Sequence, residues 1–127
     1  MNETIYSKKA KEFRDAYSLG NSMTRSSLTL STRLISEEFK EVLEAADLCG
    51  KDMWLRPTGA ENRLRENLLK ELTDLVYVCH QMAASFNWNL DESYVRVHES
   101  NMSKLDEEGK PIYREDGKIM KGPNYFT

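Results

Sequence analysis

The stretch Leu34–Leu48, LISEEFKEVLEAADL, decides the fold together with its counterpart Leu64–Phe86, LRENLLKELTDLVYVCHQMAASF. At about 100° per residue, Leu34, Ile35, Phe39, Val42, Ala45 and Ala46 gather on one arc of a helix. Glu38 lies inside that arc and Glu41 at its edge. In the second stretch Leu64, Leu68, Leu72, Leu75, Val78, Cys79, Met82 and Phe86 make another arc. Glu71 falls within it, between Val78 and Met82, and Asp74 at its margin. Residues three apart share a helix face, so each pair, Glu38 with Glu41 and Glu71 with Asp74, presents two carboxylates in one direction. A bare carboxylate held against apolar neighbours is costly unless something compensates it, and four converging carboxylates repel one another. A divalent cation resolves both problems.

Outward from these two helices the chain reads as more helix. Tyr6, Ala10, Phe13 and Tyr17 recur at three- and four-residue spacing, which predicts a helix over Glu3–Leu19, stopped by Gly20 and Asn21. The polar, Ser-rich run Asn21–Ser27 is expected to be loop. The second helix is expected over Leu28–Leu48, with Thr29 or Ser31 as N-cap and Gly50 as its end; residues 50–60, GKDMWLRPTGA, read as a connection. The third helix is expected over Glu61–Phe86, broken by Asn87–Asn89. A fourth starts at Leu90, capped by Asn89 or Asp91, with Tyr94, Val97, Asn101 and Leu105 along one face. In the tail, KPIYREDGKIMKG places two short β-capable runs, Pro111–Arg114 and Lys118–Met120, around Asp116-Gly117, the signature of a two-residue hairpin. The expected architecture is all-α: a four-helix bundle with a short C-terminal β-hairpin, one domain over residues 1–127 with hairpin and tail at 109–127. A lone hairpin is marginal in water, and a bundle this small buries more apolar surface as an oligomer.

Composition bounds the function. A chain of 127 residues fits one domain with a real core. Net charge is −3 with both signs interspersed, which argues against a nucleic-acid polymer as partner, since such modules carry a basic stripe. A nucleotide substrate is still open, because bound metal supplies positive charge. Two cysteines, Cys49 and Cys79, make no disulfide framework, and Cys79 reads as a core thiol. The N-terminus has no apolar signal segment, and no run approaches the ~20 apolar residues that span a bilayer. A soluble cytoplasmic setting with no membrane partner is expected.

All-oxygen ligands select hard cations, Mg²⁺ or Mn²⁺. Zinc would want Cys or His, and a di-iron bundle a Glu-x-x-His on each of two helices; His80 and His98 do not stand at those positions. Magnesium held by carboxylates most often serves phosphate chemistry. With Glu38, Glu41, Glu71 and Asp74 as metal ligands, Glu37 is left free at the arc boundary to take a proton from the attacking water, a role worth about 10²–10⁴-fold. The competing reading is that Glu-rich helices are simply solvated. Two clusters that both intrude on apolar arcs favour the metal.

At this point the sequence resembles a known family. Glu37-Glu38-x-x-Glu41 on one helix followed by Glu71-x-x-Asp74 on the next is similar to the signature of the all-α NTP pyrophosphatases, the MazG-like and phosphoribosyl-ATP pyrophosphohydrolase-like superfamily. Arg33-Leu34-Ile35-Ser36 precedes the first motif as R-x-L-I does in that family, and Glu71-Leu72-Thr73-Asp74-Leu75-Val76-Tyr77 resembles its E-L-x-D-L-x-Y. The tail VHESNMSKLDEEGKPIYREDGKIMKGPNY resembles a MazG-like branch common in phages, including cyanophages, which would put the protein in the host cytoplasm. The resemblance runs from about Phe13 to Tyr125. It implies hydrolysis of a nucleoside triphosphate between the α and β phosphates to monophosphate and pyrophosphate, two or more Mg²⁺ or Mn²⁺ per site, and a dimer or tetramer. Carried over by position, Glu38, Glu41, Glu71 and Asp74 are ligands and Glu37 the base. Asn101 and Lys104 contact phosphates or sugar, and Lys118, Lys121 and Tyr125 close over the triphosphate. One departure is the 29 residues between Glu41 and Glu71, at or just past the long end of the family's gap; the extra length falls in residues 50–60.

Several positions also have plainer readings. Lysines at strand edges such as Lys118 and Lys121 protect against edge pairing, Asn101 on a helix ordinarily bonds solvent, and Phe13 and Tyr17 at helical spacing read as core. Trp54, expected in a loop, is the better candidate to stack on a base. The phage-like branch favours a purine dNTP, dGTP first; pyrimidine dNTPs such as dUTP and dCTP, guanosine alarmones and phosphoribosyl-ATP are the alternatives within the class. Outside it stands a non-enzymatic helical interaction domain.

Overall fold

The computed structural model describes residues 2–54, 59–122 and 125–126. Among these the order is α1 (Ile5–Ala16), α2 (Arg25–Trp54), α3 (Glu61–Ser85), α4 (Leu90–Met102), β1 (Ile112–Tyr113) and β2 (Ile119–Met120). The fold is all-α with one very small hairpin, as the sequence predicts. The chain forms two compact units, one over Glu3–Trp88 and one from Asn89 onward. Among the described residues no helix is long and apolar enough to cross a membrane.

In the first unit Thr4 caps α1, its hydroxyl accepting the Ser7 N–H at 3.3 Å. The helix ends at Ala16, three residues short of the predicted Leu19, and Gly20 is not what stops it. Ser18 adopts φ 53°, and the Leu19 N–H reaches back to the Arg14 carbonyl at 2.8 Å, so a left-handed residue closes the last turn before the glycine. The Arg14 guanidinium then bonds the Gly20 carbonyl and Gln81.

α2 differs most from expectation. It begins at Arg25, inside the run expected to be loop, because Thr24 and Ser27 cap each other. The Ser27 N–H donates to Thr24 Oγ1 at 3.0 Å and the Thr24 N–H to Ser27 Oγ at 2.9 Å, a reciprocal box that satisfies two orphan donors. Thr29 and Ser31 are helical residues, not caps. The helix also continues through Gly50 to Trp54, since a glycine inside a helix costs only about 1 kcal/mol against alanine. Trp54 is therefore the last residue of α2 and not a loop residue. Its ring lies 3.6 Å from where a Gly50 side chain would begin. Of the connection, residues 55–58 lie outside the described residues.

α3 packs on both α2 and α1. The buried apolar positions are mostly small: Ala10, Ala45, Cys49 and Ala83, with Phe86. Gln81 ties α3 to α1 through Nε2 donating to the Ala10 carbonyl at 3.2 Å. The Cys49 thiol donates to the Leu64 carbonyl at 3.2 Å. Cys79 is half-buried, and burial raises its thiol pKa; both cysteines are free. The expected arcs are only partly covered, for Phe39 keeps 51% and Leu72 47% of its surface exposed. Tyr17, read as core, is 66% exposed, although it packs on Phe13 at 4.7 Å. α3 ends as predicted, with Asn87 at φ 58° and the Trp88 N–H on the Ala83 carbonyl.

In the second unit Asn89 caps α4, its Oδ1 accepting the Glu92 N–H at 3.0 Å. α4 stops at Met102, so Leu105 lies beyond its expected face. In the hairpin Ile112 pairs Met120 and Tyr113 pairs Ile119. The loop holds three residues, not two: the Arg114 N–H donates to the Lys118 carbonyl, the Gly117 N–H to the Arg114 carbonyl, and Gly117 takes φ 87°. That is a type I turn closed by a left-handed glycine. Arg114 and Asp116 pair across the loop.

Candidate metal centre

α2 and α3 lie side by side, and their 3.6-residue repeat aims Glu38 from one and Glu71 and Asp74 from the other at a common point. One carboxylate oxygen from each of the three lies within 4.8 Å of the other two. Mg²⁺ holds oxygens at about 2.1 Å, so ligands opposite each other on the ion stand about 4.2 Å apart; the three oxygens are already nearly that close. Glu41 is more exposed, and its carboxyl shares a hydrogen bond with that of Glu71. Glu38, Glu71 and Asp74 therefore meet at one place, with Glu41 beside Glu71. Glu37, one residue from Glu38, is exposed on α2.

The chemistry of this cluster is incomplete in a specific way. Glu38 Oε2 and Glu71 Oε2 are buried with no hydrogen-bond partner among the described residues. A buried acceptor left unpaired carries its whole desolvation penalty, and for a carboxylate that penalty is larger still. The Glu71 pKa is raised, first by burial, then by the hydrogen bond with Glu41 and the charges of Glu41 and Asp74, against the opposing Lys70 ammonium. Lys70 stands at the rim, Nζ 2.8 Å from Asp74 Oδ2 and 3.7 Å from Glu71 Oε1. These pairs raise its pKa, the Asp74 hydrogen bond foremost. The two unpaired oxygens and the all-oxygen donor set fit a hard divalent cation.

The remaining residues named from sequence are spread more widely. Trp54 ends α2 with 76% of its surface exposed. In the second unit Asn101 is exposed on α4, and its carbonyl accepts the Lys104 N–H at 3.2 Å. Lys104 and Lys121 converge on the Tyr125 ring, their ammonium nitrogens 5.9 and 4.8 Å from its centroid. Lys118 instead closes the hairpin loop opposite Arg114, its N–H donating to Asp116 Oδ1 at 3.1 Å. Pro123 and Asn124 lie outside the described residues.

Sequence reasoning missed the residues that hold this tail. Ser100 Oγ donates to the Phe126 carbonyl at 2.5 Å, and the Phe126 N–H donates to Ser103 Oγ at 3.0 Å. Two serines three apart at a helix end were the available signal. Gly122 passes so close to the Lys104 and Leu105 carbonyls that any Cβ would collide with them; no local pattern announces that. Lys70 was also missed, though its place four residues before Asp74 was legible.

A family model described as phosphoribosyl-ATP pyrophosphohydrolase matches residues 1–101 of the chain. A search of curated proteins returned no match.

Proposed function

The chain belongs to the phosphoribosyl-ATP pyrophosphohydrolase family, within the MazG-like all-α NTP pyrophosphatase superfamily, and from that premise we propose that it hydrolyses a nucleoside triphosphate between the α and β phosphates, releasing a monophosphate and pyrophosphate. The family's name gives the reaction class, a nucleotide pyrophosphohydrolase. The observation that carries the reading to this site is the pair of buried, unpartnered oxygens on Glu38 and Glu71.

In this proposal Glu38, Glu41, Glu71 and Asp74 hold Mg²⁺ or Mn²⁺, two or more ions per site. When bound, the ions supply positive charge to the polyphosphate and orient the attacking water. The chain's own residues do the rest. Glu37, free of the cluster and exposed, takes the proton as the water oxygen bonds to phosphorus and the bridging P–O bond breaks, with the electron pair leaving on pyrophosphate. Lys104, Lys121 and Tyr125 contact phosphate and sugar; what supports this is their convergence, two ammoniums on one ring. Asn101 and Lys118 are assigned to the same task by the family resemblance. Trp54, 76% exposed at the end of α2, stacks on the base. The whole chain, 1–127, acts as one catalytic domain and assembles as a dimer or tetramer, a reading supported by the uncovered apolar side chains of α2 and α3.

A purine deoxynucleotide, dGTP first, is the proposed substrate, on the strength of the phage-like tail. The second reading is phosphoribosyl-ATP, favoured by the family match. One experiment addresses both: incubation with Mg²⁺ and a panel of NTPs, dNTPs and phosphoribosyl-ATP, with products identified by chromatography. The expected products are a monophosphate and pyrophosphate, lost on Glu38→Gln. Orthophosphate would locate cleavage at another bond. A purely helical interaction module would turn over none of the panel and bind no Mn²⁺ in a calorimetric titration.

A further inference from the structure

Among the described residues four lysine or arginine side chains pair with a carboxylate four residues away on their own helix. In three, Asp47–Lys51, Glu61–Arg65 and Glu92–Arg96, the acid comes first, the orientation that suits the helix dipole. Lys70–Asp74 is reversed. Its acids also differ. The other three carboxylates are about half exposed or more, whereas Asp74 keeps 37% and Glu71 15% of its side-chain surface. Helix energetics favour this pair less than the other three, and what sets it apart is the carboxylate cluster it borders. The ammonium neutralises the outer edge of that cluster and does not partner the inner oxygens of Glu38 and Glu71, which stay unpaired. A divalent ion that satisfies those oxygens also draws on Asp74, and two cations do not share that carboxylate without repulsion.

We propose that Lys70 is an exchangeable counter-cation: its ammonium holds Asp74 and Glu71 in the metal-free protein, is expelled when a divalent ion enters, and then binds the phosphate oxygens of the substrate. The side chain suits both duties. It is 68% exposed, so leaving Asp74 requires no repacking, and its four-carbon stem keeps the charge at the rim where polyphosphate arrives. The inference rests on the pyrophosphohydrolase reading and adds a substrate-contacting residue to it.

The test is calorimetric, on the full chain. Mn²⁺ is titrated into the parent protein, Lys70→Gln and Lys70→Arg, and pyrophosphate is then titrated into each Mn²⁺-loaded protein. Lys70→Gln is expected to bind Mn²⁺ about threefold more tightly, because no cation has to be displaced. It is expected to bind pyrophosphate about tenfold more weakly, because a charge-assisted contact is lost. Lys70→Arg restores both values. Opposite signs in one variant are not produced by a surface ion pair that merely stiffens α3. Unchanged Mn²⁺ affinity, weaker Mn²⁺ binding, or undiminished pyrophosphate binding in Lys70→Gln each overturns the proposal. Absence of Mn²⁺ binding by the parent protein overturns the pyrophosphohydrolase reading instead, and is told apart on the first titration.

Discussion

Glu71 concentrates the tension at the centre. Burial, the shared hydrogen bond with Glu41 and two like charges all favour its protonated form. A carboxyl whose folded pKa is raised stabilises the fold fully below its ordinary pKa of 4.5, and that contribution is lost as pH rises through the folded value. In EDTA, Glu71→Gln, which cannot ionise, should therefore gain thermal stability over the parent as pH rises from about 4 to about 7. Excess Mn²⁺ at neutral pH should reverse that order, since the parent keeps all its ligands. Melting curves across the pH series check both, and a gap that does not change with pH would remove the assigned cause. The acids were legible as intrusions on apolar arcs, because helical periodicity fixes which residues share a face. The place of Lys70 four residues before Asp74 was legible too, but a lysine beside acids on a helix is ordinary until the distances show where its nitrogen sits.

Among the elements, α3 was readable almost to the residue, from Glu61 to the break at Asn87, because its arc is long and its end signal strong. α2 was readable in its middle and misjudged at both ends. At the start, Thr24 and Ser27 cap from within a segment whose composition resembles loop. At the end, Gly50 does not stop the helix. Thr24→Ala is expected to lower stability by about 1 kcal/mol and to fray the first turn of α2; denaturant melts and amide exchange at Arg25–Leu28 measure it. Equal stability of the two proteins would show that the box contributes nothing. In the tail the hairpin strands were legible, whereas the loop length was not. Asp116-Gly117 fits both a two-residue turn and a three-residue turn with a left-handed glycine, and the backbone bonds of Arg114 decide between them.

Over the whole molecule the notable quantity is apolar surface left uncovered. No large side chain among the described residues is fully buried, and Phe39, Leu43, Leu69, Leu72 and Val76 of α2 and α3 keep 45% or more of their surface. Contiguous apolar surface marks association sites, and these are the side chains such a contact would cover. Light scattering on the eluting protein should give at least twice the chain mass, and Leu72→Glu should shift it toward the monomer; a monomeric parent protein at micromolar concentration would contradict the proposed assembly. The sequence by itself determined the helical class, the two acidic pairs and the face each pair shares, since these follow from a periodicity that a helix imposes locally. Only the tertiary structure decided that acids of the two pairs meet, that two of their oxygens go unpaired and that Tyr125 gathers two lysines. Those facts depend on how separate segments approach one another, and no local pattern of residues encodes a distance between them.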